Sequence, residues 1–125
     1  MDKRVSKNFT EKELACRGSN CCGNTYFAAP VLVKALQELR DLIGKAIHVN
    51  SCCRCNKHNK KVGGHIDSWH TRGLAVDIRV DGYSSQELAA LADQIPEFGN
   101  GTIGVYKNFI HVAVTNRNKR FIGAY

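Results

Sequence analysis

Long apolar runs are absent from this 125-residue sequence. The longest spans only a few residues, which excludes a membrane-spanning helix. No apolar stretch of signal-peptide length stands behind the charged residues Asp2, Lys3, Arg4 and Lys7. Synthesis in a cytosol without export by that route is therefore expected, and action on anything outside would need release by another agent. No segment is low in complexity, and no internal repeat is visible. Acidic residues are few, 11 against 18 Lys and Arg, for a formal net charge of +7. Such an excess favours polyanions, whether nucleic acid or an acidic cell wall. The basic groups Lys3/Arg4/Lys7, Arg54/Lys57/Lys60/Lys61 and Arg117/Lys119/Arg120 lack a recognition-helix pattern and a row of stacking aromatics. Nucleic acid is thus not the expected partner.

What is present suits one globular domain over residues 1–125, with 43% hydrophobic and 23% charged residues. Six cysteines fall into two groups, Cys16/Cys21/Cys22 and Cys52/Cys53/Cys55. The secretory context that would make them disulfides is missing. Three states compete: reduced thiols, disulfides, or a structural zinc held by Cys16, one of Cys21/Cys22, and Cys55. His58, three residues after Cys55, has a spacing that zinc can also use. The two groups are expected to lie near each other in space.

Local patterns predict helices packed on a small, mostly antiparallel sheet, an α+β fold. Thr10 and Glu13 form a capping box for a short helix. Pro30 suits a first helical turn, Leu32, Leu36, Leu39 and Ile43 recur at helical spacing, and Gly44 fits the stop. Residues 47–51 alternate as a short strand, and residues 54–61 suit one or two helical turns before Gly63-Gly64. In the strand Leu74–Val80, Leu74, Val76, Ile78 and Val80 share one face, with Ala75, Asp77 and Arg79 on the other. Ser84 and Glu87 make a second capping box, opening a helix that buries Leu88, Leu91 and Ile95 and that Pro96 helps to end. Residues 102–106 and 109–115 form a hairpin turning at Lys107-Asn108, and Phe121-Ile122 adds a last short strand.

Asp77 and His111 are each the polar member of an otherwise apolar or small-residue strand. If buried, they need partners, and mutual hydrogen bonding is the plain alternative to any chemistry. His70, placed in a loop before Gly73 and Asp77, shifts that balance. Two neutral imidazoles and one carboxylate are a sound three-ligand set for one zinc, with a fourth position open for water. Such a water ionises near neutral pH and can attack a carbonyl.

The chain resembles the zinc D-Ala-D-Ala carboxypeptidase and endopeptidase family, which shares its fold with the hedgehog signalling domain. Ser6-Lys7-Asn8-Phe9-Thr10 matches the opening, and Asn50-Ser51-Cys52-Cys53-Arg54-Cys55 the strand ending in an arginine. His58-Asn59, Val62-Gly63-Gly64, Ser68-x-His70-x-x-Gly73-x-Ala75-x-Asp77 and Ile103-Gly104-Val105-Tyr106-x-x-Phe109-Ile110-His111-Val112 come after these in order. The resemblance implies His70, Asp77 and His111 as zinc ligands, and Arg54 as a cation for the substrate carboxylate or the oxyanion. It also places Ser68, Tyr106 and Asn108 among substrate-binding positions.

Where family members carry an acid to act as general base, this chain has Asn108 and Ala113, and neither takes a proton. Asp67 and His65 are the first substitutes, with Asp81, Glu87 and Glu97 able to approach only through folding. The implied activity is zinc-dependent cleavage of amide bonds in the peptide stems of bacterial peptidoglycan, as a D,D-carboxypeptidase or an endopeptidase. The expected protein is a monomer, consistent with a phage lysis enzyme or one that rides in a virion. The alternative is a zinc-containing wall-binding module with weak or no turnover.

Overall fold

The computed structural model describes residues 3–65 and 68–123. Among them the chain forms α1 (Glu11–Leu14), α2 (Pro30–Ile43), β1 (His48–Ser51), α3 (Asn56–Lys61), a 3-10 turn (Trp69–Arg72), β2 (Ala75–Arg79), α4 (Ser85–Ala92), α5 (Pro96–Gly99), β3 (Thr102–Val105), β4 (Ile110–Ala113) and β5 (Lys119–Ile122). The class is α+β. No helix among the described residues is long and apolar enough to cross a membrane.

The caps act as their residue types dictate. Thr10 Oγ1 accepts from the Glu13 N–H at 3.3 Å while Glu13 Oε1 accepts from the Thr10 N–H at 3.1 Å. Ser84 and Glu87 repeat the exchange at the start of α4. Helix α2 begins at Pro30 and stops at Gly44, whose φ of 71° is the left-handed cap. Two expectations need correction. Pro96 does not merely end a helix: it opens α5, because a first-turn residue has no intrahelical use for an N–H. Leu91 packs against the core as expected but is only half-buried, since α4 turns Leu88 and Ala92 inward, and Ile95 is buried beyond the end of that helix.

The sheet has the order β1-β2-β4-β3-β5, antiparallel except where β5 runs parallel to β3. Its inner face carries Val76, Ile78, Ile103, Ile110 and Val112, all buried against Leu32, Leu36, Leu39, Leu88 and Phe98. The outer face of β2 and β4 carries Ala75, Asp77, His111 and Ala113. Asp77 pairs directly across from His111, and Gly104 faces His111 from the other side. Covering one face with helices leaves the polar members of these strands together on the other.

A register shift between Val49 and Ser51 breaks the β1–β2 ladder opposite Asp77. Such a bulge bends the chain and re-aims the residues beyond it. Beyond it Cys52 and Cys53 are buried in the core, while the Cys52 carbonyl and the Arg54 side chain reach His70 and Asp77 on the outer face. The 3-10 turn is closed by Gly73 at φ 69°, whose N–H reaches the His70 carbonyl at 3.3 Å and whose carbonyl accepts from the Ala29 N–H at 2.9 Å. A Cβ on Gly73 would run into the Phe27 carbonyl oxygen. Gly73→Ala is therefore expected to lower stability by about 1–3 kcal/mol, through left-handed strain and that clash. Urea unfolding should show the loss, and an unchanged midpoint would mean that the turn is built otherwise.

Candidate metal centre

His70 is delivered by the 3-10 turn, Asp77 by the middle of β2 and His111 by β4. The Ser68 Oγ accepts from the His70 N–H at 3.2 Å, and the Thr71 hydroxyl donates to the Ser68 carbonyl at 2.6 Å, so the turn is locked at its start. The bulged segment grips His70 twice. Its carbonyl accepts from the Arg54 N–H at 3.2 Å, and its Nδ1 donates to the Cys52 carbonyl at 2.7 Å. Because a carbonyl can only accept, that bond puts the ring proton on Nδ1 and leaves Nε2 with a lone pair.

That lone pair points at Asp77. His70 Nε2 lies 3.2 Å and His111 Nδ1 2.9 Å from the same oxygen, Asp77 Oδ1. The His70 and His111 rings meet edge-on with centroids 5.1 Å apart. Two electron-rich atoms 3.2 Å apart need a proton or a metal cation between them. The three donors, all within 4.8 Å of one another, form a group able to hold a metal ion. Their chemistry, two imidazoles and one carboxylate, suits zinc, and the Cys52 carbonyl is the outer partner that fixes a ligating histidine.

Asp77 Oδ2 takes the Arg54 guanidinium at 3.3 Å. Arg54 is itself held by Nε to Ser51 Oγ at 3.0 Å and by Nη1 to Asn59 Oδ1 at 3.3 Å. Burial works to raise the Asp77 pKa. The hydrogen bond from His111 and the close contact with His70 outweigh it and hold the carboxyl well below the usual carboxylate range. Asp77 is thus an anion even where it is 7% exposed.

The centre forms the floor of a cleft of about 620 Å³, lined also by Arg54, His65, Ser68, Trp69, Arg72, Thr102, Tyr106, Arg117, Lys119 and Phe121. Of the sequence-predicted positions, Arg54, His65, Ser68 and Tyr106 thus meet at one place. Asn108 does not join them: it is exposed at the hairpin turn, in a separate groove. Asp67 lies outside the described residues. Asp81 is drawn off to His48 and Arg79, Glu87 caps α4, and Glu97 sits on α5, so none of the three lines the cleft. Among the described residues, Asp77 is the sole carboxylate in it. Ala113 is fully buried opposite Ala75 and Thr102, with no proton-accepting atom.

Sequence reasoning missed several residues that line or support the cleft. Asn59 is 3% exposed, orients Arg54, and donates from Nδ2 to the His65 carbonyl at 2.7 Å. Only its place in the His58-Asn59 pair hinted at a role. Arg117 and Lys119 read as a solvated basic run. The parallel pairing of β5 with β3 brings Lys119 beside Thr102, and the Thr102 and Thr115 hydroxyls hold the Arg117 carbonyl next to it.

The cysteines separate. Cys16, Cys21, Cys22 and Cys55 converge, with their sulfurs within 4.8 Å of one another. Cys52 and Cys53 are buried in the hydrophobic core instead. Hydrogen bonding from the Thr25 side chain and backbone draws the Cys22 thiol down to about 6, while the hydrogen bond with Cys55 and burial push Cys21 up to about 12.

Removing the Arg54 guanidinium leaves Asp77 Oδ2 buried without its cation. In the presence of chelator, Arg54→Met is expected to cost about 3 kcal/mol of stability, with Arg54→Lys recovering part of it. Urea unfolding reads both, and a loss below about 0.5 kcal/mol for Arg54→Met would show the pair to be solvated.

Comparison with curated protein sequences finds no match. The profile of the family described as Peptidase M15 matches residues 7–113, which include α1 to β4 and every residue of the His70–Asp77–His111 centre. The chain therefore belongs to the Peptidase M15 family, the zinc D-Ala-D-Ala carboxypeptidase-like metallopeptidases.

Proposed function

We propose that this protein is a zinc peptidase that hydrolyses amide bonds in the peptide stems of bacterial peptidoglycan, with His70, Asp77 and His111 holding the metal. One observation carries the reading. The Nδ1 proton of His70 is committed to the Cys52 carbonyl, so its Nε2 meets Asp77 Oδ1 as a ready-made pair of metal donors at the bottom of an open cleft. Zinc, when bound, supplies Lewis acidity that brings a coordinated water near neutral pKa and polarises the scissile carbonyl.

The rest falls to the chain's own residues. Arg54, fixed by Ser51 and Asn59, presents fixed forked donors to the anionic oxygen that develops as the amide carbonyl is attacked. Arg72, Arg117 and Lys119 stand around the same cleft and suit a substrate with free carboxylates, as peptidoglycan stems have. Tyr106, stacked on Phe109 at 4.5 Å and edge-on to Phe121, offers a rigid wall for the peptide. His65 is the titratable group of the cleft best suited to accept a proton from the attacking water. Its backbone is held by Asn59 and Ser68.

A second reading, a wall-binding module with little turnover, rests on a specific observation: apart from Asp77, no described cleft residue is an acid. Purified peptidoglycan digested with the zinc-loaded protein, with mass analysis of the fragments, separates the two. Zinc-dependent amide cleavage, lost with chelator and in His111→Ala, is the expected result. Retained wall binding with no fragments would favour the module.

His65→Ala is expected to lower kcat by about 10²-fold or more with zinc content unchanged. Equal rates for His65→Ala and wild type would move the proton acceptor elsewhere, with Asp67 next.

A further inference from the structure

We propose that Cys16, Cys21, Cys22 and Cys55 bind a second zinc ion as a four-thiolate structural site, which ties the N-terminal loop to the segment that orients the active-site residues. The sulfurs already outline the coordination polyhedron. A tetrahedral zinc with bonds of about 2.3 Å has sulfur–sulfur edges of about 3.8 Å. Cys21 and Cys22 are 3.8 Å apart and Cys16 and Cys21 4.0 Å, and all four sulfurs fall within 4.8 Å. Three thiols from one loop and one from the start of α3 converge although they are far apart in sequence. Four sulfurs crowded in this way repel as thiolates unless a cation sits among them.

The surroundings support thiolate. The Thr25 N–H points at Cys22 Sγ and the His58 N–H at Cys55 Sγ, each at 3.4 Å. The second of these is also the cap of α3, so the helix N-terminus faces sulfur. His58 thus supports Cys55 through its backbone and is not itself in the ligand group. Gly18 closes the loop over the cluster, and a Cβ there would stand 2.6 Å from Cys21 Sγ and 2.8 Å from the His58 ring. Lys57 holds the same loop by donating to the Asn20 carbonyl at 2.9 Å. A four-thiolate site has no open position, so its role is structural.

The consequence reaches the cleft through the chain. Cys55 directly follows Arg54, and Cys52 supplies the carbonyl that fixes the His70 ring. Clamping Cys55 to the N-terminal loop therefore restrains the segment that aims Arg54 and His70. The four thiol ligands do not depend on the peptidase reading; only the expected count of two zinc ions rests on it, and the sulfur-to-cobalt band reads the thiolate site alone.

The test is metal stoichiometry with cobalt as a spectroscopic probe. Wild-type protein purified under reducing conditions should hold two zinc ions per chain, and His111→Ala and Cys22→Ser one each. Cobalt-loaded His111→Ala should keep an intense sulfur-to-cobalt charge-transfer band, while Cys22→Ser should lose it. If the cysteine variant fails to fold, alkylation of the wild type decides. Cys21 and Cys22 should be protected from maleimide with metal bound and react after chelation, while Cys52 and Cys53 stay buried in both. A single zinc in wild type without the thiolate band, a disulfide among the four cysteines in that preparation, or alkylation rates indifferent to metal would overturn the proposal. A peptidase-inactive protein that still holds zinc on its thiolates would leave it standing.

Discussion

One buried carboxylate organises the functional face of this protein. Asp77 sits in the middle of the sheet with both oxygens engaged, Oδ1 by His70 and His111 and Oδ2 by Arg54. A charge so placed is tolerated only when every lone pair meets a donor or a cation. The surrounding structure is arranged to meet that demand. The hairpin of β3 and β4 sets His111 straight across from Asp77, the bulge in β1 swings Arg54 over it, and the 3-10 turn closed by Gly73 lowers His70 from above. The same geometry that neutralises the carboxylate is a metal-binding geometry, so stability and chemistry draw on one set of contacts.

The short stretch from Cys52 to Cys55 links several parts of the molecule. Cys52 and Cys53 are core residues, the Cys52 carbonyl and the Arg54 N–H hold His70, the Arg54 side chain holds Asp77, and Cys55 joins the thiol cluster and caps α3. Extended backbone alone would not hold such a position, because each residue faces a different neighbour. It is anchored by the sheet at one end and by the cysteine loop at the other. A 125-residue chain has a modest core, and zinc at the proposed four-thiolate site would relieve that core of holding the cleft in shape.

Much of this was legible in the sequence. Alternation in residues 74–80 and 109–115 put Asp77 and His111 on the outer face, because period two admits no other placement once the apolar partners go inward. Capping boxes and Pro30 placed the helices to within a residue. Pro96 misled, since a proline that stops one helix equally well starts another. The pairing of Cys55 with the Cys16, Cys21 and Cys22 loop was expected, but the burial of Cys52 and Cys53 away from it, the clamp made by Asn59, and the basic rim from Arg117 and Lys119 were hidden. Each depends on non-local pairing, a bulge or a parallel strand, which local periodicity does not encode. The Asn108 position shows the limit of motif reading: the right place in a pattern put the side chain at an exposed turn, outside the cleft.

Family membership establishes a metallopeptidase ancestry, while the described residues of the cleft include several cations and no acid besides Asp77. The proposed chemistry leans on the metal centre, on Arg54 and on His65 for proton transfer. Everything turns on whether a metal replaces the contacts between Asp77 and the two histidines. Crystals of the zinc-loaded protein measured across the zinc absorption edge would answer this directly. An anomalous peak bounded by His70 Nε2, Asp77 Oδ1 and His111 Nδ1 is the predicted result. The absence of a peak there at full zinc saturation, with the carboxylate still hydrogen-bonded to both rings, would contradict it.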